Sequence, residues 1–138
     1  DVNLKGPMRL AGKVAPRMAE NGGGSIVNVI TVGAYLGGAG VGAYSSSKAA
    51  LLNLTRVMAT EWADRGVRVN ALAPGPFATD MMAGAEKNVP GFSAGAAAAT
   101  LQKRVADPDE IIGSVLYLAS DASSFTTGTD LIVDGGMR

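Results

Sequence analysis

Tyr44 and Lys48 stand four residues apart in Tyr44-Ser45-Ser46-Ser47-Lys48. If this segment is helical, both side chains project from one face. A free phenol ionises near pH 10 and is a poor base at neutrality. An ammonium about 4 Å away, at an effective dielectric of about 20, interacts with it by roughly 4 kcal/mol. At about 1.4 kcal/mol per unit, that brings a tyrosine within reach of acid–base work near pH 7. Thr31 lies upstream, at the end of the apolar run Ser25-Ile26-Val27-Asn28-Val29-Ile30. In open α/β sheets ligands bind beyond the carboxyl ends of strands, and a hydroxyl there can donate to a carbonyl beside the tyrosine. Taken singly, each of these residues has a plainer reading. A Tyr and a Lys at this spacing also decorate solvated helix faces, and a β-branched Thr31 also suits an ordinary strand end bonding locally.

Composition narrows the chemistry. The chain contains no histidine and no cysteine, which excludes a Ser-His-Asp triad, a Cys-His pair, disulfides and a His-ligated zinc site. Proton transfer near neutrality therefore falls to Tyr, Lys, Asp or Glu. The formal net charge is zero with no Lys/Arg cluster, which argues against a nucleic-acid surface. There is no apolar run long enough for a membrane span and no signal-peptide pattern. No metal site is expected. The sequence opens at Asp1 rather than methionine and reads as part of a longer polypeptide.

The elements that must position these residues follow from periodicity. Leu4, Met8, Ala11, Ala15 and Met18 recur at helical spacing, opposite Arg9, Lys13, Arg17 and Glu20. That helix ends near Asn21-Gly22, and Ser25–Ile30 reads as a strand buried on both faces. A Gly-rich loop spans Gly33 to Gly42. A second helix is expected from about Ala43 to Asp64, with a buried stripe of Leu51, Leu54, Met58 and Trp62, closed by Gly66. Val67–Leu72 is the next strand, stopped by Pro74-Gly75-Pro76. Residues 81–106 are rich in Ala and Gly with poor periodicity and read as a mobile, partly helical insert. Asp107-Pro108-Asp109-Glu110 is a helix start, leading into Ile111, Ile112, Val115, Leu116 and Ala119. Asp130–Asp134 is a last short strand. Helix and strand alternate, which predicts an α/β doubly wound parallel sheet in three α/β/α layers. We find no second domain; three strands make a poor independent sheet.

Several segments then coincide, in order, with one family. Asn3 in Val2-Asn3-Leu4-Lys5-Gly6, the strand from Gly24 to Val32, the Tyr44-to-Lys48 motif, Arg68-Val69-Asn70-Ala71-Leu72-Ala73-Pro74-Gly75-Pro76-Phe77-Ala78-Thr79 and Val133-Asp134-Gly135-Gly136 together resemble short-chain dehydrogenases/reductases. The resemblance runs from Asn3 to Gly136 and implies the C-terminal, catalytic part of a Rossmann-like domain. It implies an NAD- or NADP-dependent oxidoreductase that interconverts a secondary alcohol and a carbonyl, similar to 3-oxoacyl-carrier-protein reductases and to glucose or gluconate dehydrogenases. Within that resemblance Tyr44 is the proton donor or acceptor. Lys48 assists it and binds the nicotinamide ribose, Thr31 orients the carbonyl, and Asn3 holds a water in the proton relay. Pro74, Gly75 and Thr79 contact the nicotinamide end of the cofactor. Residues 81–106 form a substrate lid. A small-molecule substrate, a cytoplasmic location and a homodimer or homotetramer are implied in the same way. For Asn3 the alternative is a helix-start cap, and for Thr79 the N-cap of a short helix near Asp80.

Two departures from the family pattern stand out. Thr31 occupies a position that is usually serine, and Ile30 precedes it. Threonine keeps the donor but adds a methyl and stiffens χ1; in a tight pocket such overpacking costs about 1–3 kcal/mol, so narrower substrate choice is expected. The Gly-rich phosphate turn and the selector of NAD against NADP have no counterpart here. Gly38-Ala39-Gly40-Val41-Gly42-Ala43 fits G-x-G-x-x-A, but a true fingerprint follows a strand directly and has an acidic residue closing the next one, where this chain has Ala73-Pro74. It reads instead as an active-site loop. Two other functions remain open at this level: a non-catalytic binding or assembly fragment, and an epimerase or dehydratase sharing Tyr-x-x-x-Lys. On its own the fragment is expected to be inactive.

Overall fold

The computed structural model describes residues 2–138, and Asp1 lies outside them. Three parallel strands, β1 (Gly24–Val29), β2 (Val67–Pro74) and β3 (Asp130–Val133), form one sheet in the order β1-β2-β3. Helices α1 (Lys5–Glu20) and α2 (Gly42–Trp62) precede β1 and β2, while α3 (Asp80–Asn88), α4 (Phe92–Ala99) and α5 (Ile112–Ala119) lie between β2 and β3. This is an α/β, Rossmann-like arrangement.

The sheet has two faces because side chains alternate along each strand. Ile26, Val67 and Val69 pack with Ala11, Met58 and Ala59 of α1 and α2, and Ala71, Ala73 and Ile132 pack with Leu51 and Leu52 of α2. On the other face Ser25 Oγ and the Arg68 guanidinium donate to the Leu118 carbonyl of α5, at 2.7 and 3.2 Å. Asn70 is fully buried; its amide donates to the Thr126 carbonyl at 2.8 Å and its oxygen accepts from Thr129 N–H at 3.2 Å. Arg68 and Asn70 thus tie β2 to the chain leading into β3, a structural use of both.

The central strand is β2, where Val67, Val69 and Ala71 are wholly buried. β1 is an edge strand: Val29 is exposed and only Asn28 is buried, its amide donating to Thr55 Oγ1 at 2.9 Å. The expectation of burial on both faces fails there because one flank of β1 has no neighbouring strand among the described residues. The apolar residues of α5 are unequally covered. Leu118 is buried, but Ile112, Val115 and Leu116 are exposed; an apolar stripe specifies a face, not what covers it. In α1, Met8 is exposed while Ala11 and Ala15 are buried.

Turn chemistry sets the joints. Gly66 closes α2 in the left-handed region at φ 75°, and Gly23, at φ 113°, passes so close to it that a Cβ would lie 2.5 Å from the Gly66 carbonyl oxygen. Asp107 and Glu110 form the expected capping box, opening as a 3-10 turn before α5. The insert is not irregular. Its base is clasped by a bridge between Phe77 and Ala106, and above it stand two helices. Glu86 of α3 accepts from Gly91 and Ser93 N–H, each at 2.7 Å, capping the first turn of α4. No helix is long and apolar enough to cross a membrane, and no acidic cluster able to hold a metal occurs, among the described residues.

Candidate active site

The carboxyl end of β1 runs through Ile30 into Thr31, which begins a 3-10 turn over Val32–Ala34. Thr31 Oγ1 accepts from Gly33 N–H at 3.2 Å, so its own O–H remains to donate. Gly33 sits against the first turn of α2: a Cβ there would lie 3.4 Å from both Ser45 Oγ and Thr31 Cγ2. The turn that carries Thr31 therefore packs beside Tyr44's neighbour on α2.

Tyr44 and Lys48 do share a face of α2. The Lys48 ammonium lies 5.9 Å from the Tyr44 ring centroid. It also donates to the Val29 carbonyl at 2.9 Å, which bonds α2 to the end of β1, two residues before Thr31. Spacing alone could not reveal this partner, because the acceptor is backbone. Of the three ammonium protons, two remain for a ligand. Burial lowers the Lys48 pKa below its ordinary value. Tyr44 is 38% exposed, so its ring is open to a bound molecule.

Asn3 reaches the same region through Ser47. Its Nδ2 donates to Ser47 Oγ at 3.3 Å, and Ser47 Oγ donates to the Tyr44 carbonyl at 2.7 Å. It does not cap α1: the N-cap position is Leu4, with no side-chain cap bond among the described residues. Asn3 and Lys48 line one groove of about 660 Å³ between α1 and the outer edge of β1. Ser47 is the link between Asn3 and the Tyr44 turn that residue types did not single out; the only hint was its place on the turn between Tyr44 and Lys48.

At the end of β2, Pro74 pairs with Val133, and Gly75 N–H donates to the Val133 carbonyl at 2.9 Å. A Cβ on Gly75 would come within 2.6 Å of Asp134 Cα, so the two strand ends meet only because Gly75 is bare. Thr79 is the N-cap of α3, accepting from Met82 N–H at 3.4 Å, and its O–H is left to donate outward. Gly38–Ala43 follows the 3-10 turn rather than a strand, in keeping with a loop and not a dinucleotide fingerprint.

Tyr44, Lys48 and Thr31 thus lie at the carboxyl end of β1, and Pro74, Gly75 and Thr79 at that of β2. The donors present suit a nicotinamide nucleoside: two free ammonium protons for ribose hydroxyls, an outward hydroxyl, and backbone at a strand tip. A family model described as enoyl-(acyl carrier protein) reductase matches residues 1–138. The gluconate 5-dehydrogenase of Gluconobacter oxydans is 40% identical over 126 residues, covering 90% of this chain and 48% of its own length. Dehydrogenase/reductase SDR family member 4 of Bos taurus is 40% identical over 136 residues, covering 99% of this chain and 48% of its own. A crystal structure of a gluconate 5-dehydrogenase from Burkholderia cenocepacia in complex with NADP and tartrate superposes with a TM-score of 0.93 at 37% identity, over 99% of this chain and 53% of that one. The chain spans about half the length of the curated relatives it matches. It belongs to the short-chain dehydrogenase/reductase family.

Proposed function

We propose that this chain is the C-terminal, catalytic part of an NAD(P)-dependent oxidoreductase that interconverts a secondary alcohol and a carbonyl. The observation that carries the reading is the Lys48 ammonium held 5.9 Å from the Tyr44 ring while bonded to the Val29 carbonyl at 2.9 Å. One lysine so fixes the phenol-bearing helix against the strand that ends in Thr31.

When bound, the nicotinamide supplies the hydride in reduction and takes it in oxidation. The chain's own residues handle the proton. Tyr44 O–H gives its proton to the carbonyl oxygen in reduction, and its phenolate takes one from the alcohol in oxidation. Lys48, with two donors left, binds ribose hydroxyls and stabilises the phenolate by its charge. Thr31 donates its free O–H to the carbonyl oxygen and fixes its place. Asn3 holds a water that returns the proton from bulk. Backbone at Pro74 and Gly75 and the Thr79 hydroxyl contact the nicotinamide end. Residues 81–106, which hold α4 and all of α3 but its first residue, are the substrate lid. NAD and NADP both remain candidate cofactors; one solved relative is described with NADP. The substrate is a small alcohol or carbonyl, the location cytoplasmic, and the assembly a homodimer or homotetramer, as in the family it resembles.

The test is the full-length polypeptide assayed with NADH and NADPH against a panel of ketones, sugar acids and 3-oxoacyl thioesters, beside Tyr44→Phe. Turnover with a net change in nicotinamide absorbance, lost in Tyr44→Phe while cofactor binding persists, supports the reading. Product without net redox change would assign an epimerase or dehydratase instead.

A further inference from the structure

Tyr35 ends the 3-10 turn that Thr31 begins. Ala34 N–H donates to the Thr31 carbonyl and Tyr35 N–H to the Val32 carbonyl, each at 3.0 Å, so the two residues belong to one rigid turn. Beyond Tyr35 runs a glycine-rich loop: residues 36–41 are all exposed and include Gly37, Gly38 and Gly40. Tyr35 is therefore the last fixed point between Thr31 and the loop that leads to Tyr44.

The fixing is unusually strong for a loop side chain. Tyr35 O–H donates to Asp130 Oδ2 at 2.6 Å, and the Arg56 guanidinium of α2 donates to Asp130 Oδ1 at 2.9 Å. The Arg138 guanidinium stacks 4.1 Å from the Tyr35 ring centroid. Asp130 opens β3, its side chain is 16% exposed, and the Tyr35 ring packs on the cluster that contains Leu51 and Ala73. Hydrogen bonds to an ionised partner are about twice as strong as neutral ones. Burial, then the Asp130 hydrogen bond and charge, push the Tyr35 phenol far above its ordinary value. Burial also works to raise Asp130, but the bonds from Tyr35 and Arg56 outweigh it and hold the carboxyl below its usual range. The donor keeps its proton and the acceptor its charge across neutral pH.

We propose that Tyr35, anchored on Asp130, is a positioning residue that holds the Thr31 hydroxyl where the carbonyl oxygen is bound. The proposal rests on the role given to Thr31 above. Tyr35 does not touch the reacting atoms; it ties the Thr31 turn to β3 rather than leaving it held by the exposed glycine-rich loop. A displacement of about 1 Å in such a donor can cost about a hundredfold in rate.

The experiment uses the full-length enzyme with its best carbonyl substrate and a 4-deuterated nicotinamide. Tyr35→Phe is expected to lower kcat about tenfold, leave the KM for cofactor unchanged and raise the primary isotope effect on kcat. Asp130→Ala, which also releases Arg56, is expected to lose at least as much, and the double variant to be no worse than Asp130→Ala, since the Tyr35–Asp130 bond is then already gone. Asp130→Asn, which keeps an oxygen for the phenol, is expected to recover most of the rate. An unchanged kcat in Tyr35→Phe would overturn the proposal. So would a loss that follows the folded fraction in thermal melts with no change in isotope effect. Thr31→Ala in the same assay separates the two levels. If it keeps full turnover, the role of Thr31 falls and this inference with it; if it loses turnover while Tyr35→Phe does not, only the inference falls.

Discussion

Thr31 does two things at once: its oxygen caps the turn that follows by accepting from Gly33 N–H at 3.2 Å, and its proton remains for a ligand. Its methyl is not idle, since Cγ2 packs beside Gly33. Thr31→Ser keeps the cap and the donor and removes only that methyl, so kcat on the best substrate should stay within a few-fold while bulkier carbonyls gain. Thr31→Ala removes the donor, and loss of one such group typically costs about 10²–10³ in kcat. Steady-state kinetics over a size-graded ketone series checks both; equal rates for Ala and wild type would sink the donor role. Tyr44 and Lys48 could be paired from spacing because four residues make one helical turn. The Val29 carbonyl that seats Lys48 could not, because a backbone acceptor has no residue type to read.

The insert shows why an element can form where periodicity is poor. The α4 segment Phe92–Ala99 has no buried residue, so no apolar stripe announced it. It is helical because five of its eight residues are alanine, the best helix former, and because Glu86 caps its N-terminus from α3 through two 2.7 Å bonds. Those bonds hold the Glu86 pKa below its ordinary value. Glu86→Ala should therefore leave the sheet intact and fray α4: amide exchange at residues 93–97 should accelerate while β2 stays protected. Uniform acceleration, or none, would refute the capping role. The base of the insert has its own clamp, with Arg104 bonding both Glu110 carboxylate oxygens at 2.6 and 2.7 Å. The Arg104 hydrogen bond, then that from Asp107 N–H, lower Glu110 from 4.5 to about 2. A depressed carboxylate pKa contributes stability fully above the unfolded value, and that contribution is lost as pH falls from about 4.5 through about 2. A carboxyl NMR titration should find the Glu110 midpoint near the bottom of that window and move it upward in Arg104→Leu. A midpoint unchanged between the two proteins would show that Arg104 is not the cause.

For the whole molecule, strands and their parallel order followed from β-branched runs separated by helices, since a parallel pair requires a crossover. What residue patterns could not supply was the surroundings of each apolar face. The β1 strand reads as buried, yet Val29 is 52% exposed; on the apolar α5 Leu116 is 61% exposed, and beyond it Phe125 is fully exposed. Ile112 is exposed as well, and among the described residues β1 presents an unpaired strand edge, a template for further pairing. The chain alone should then associate. Sedimentation velocity is expected to show a weight-average mass that rises with concentration, and Leu116→Glu should weaken that rise by placing a charge on the exposed α5 face. Because Leu116 is largely exposed, the substitution disturbs little of the core, so unfolding is not the expected route to any change. A mass independent of concentration in the unsubstituted chain would refute the prediction. A Leu116→Glu chain that associates as strongly would move the contact from α5 to the β1 edge, where Val29→Lys is the corresponding substitution.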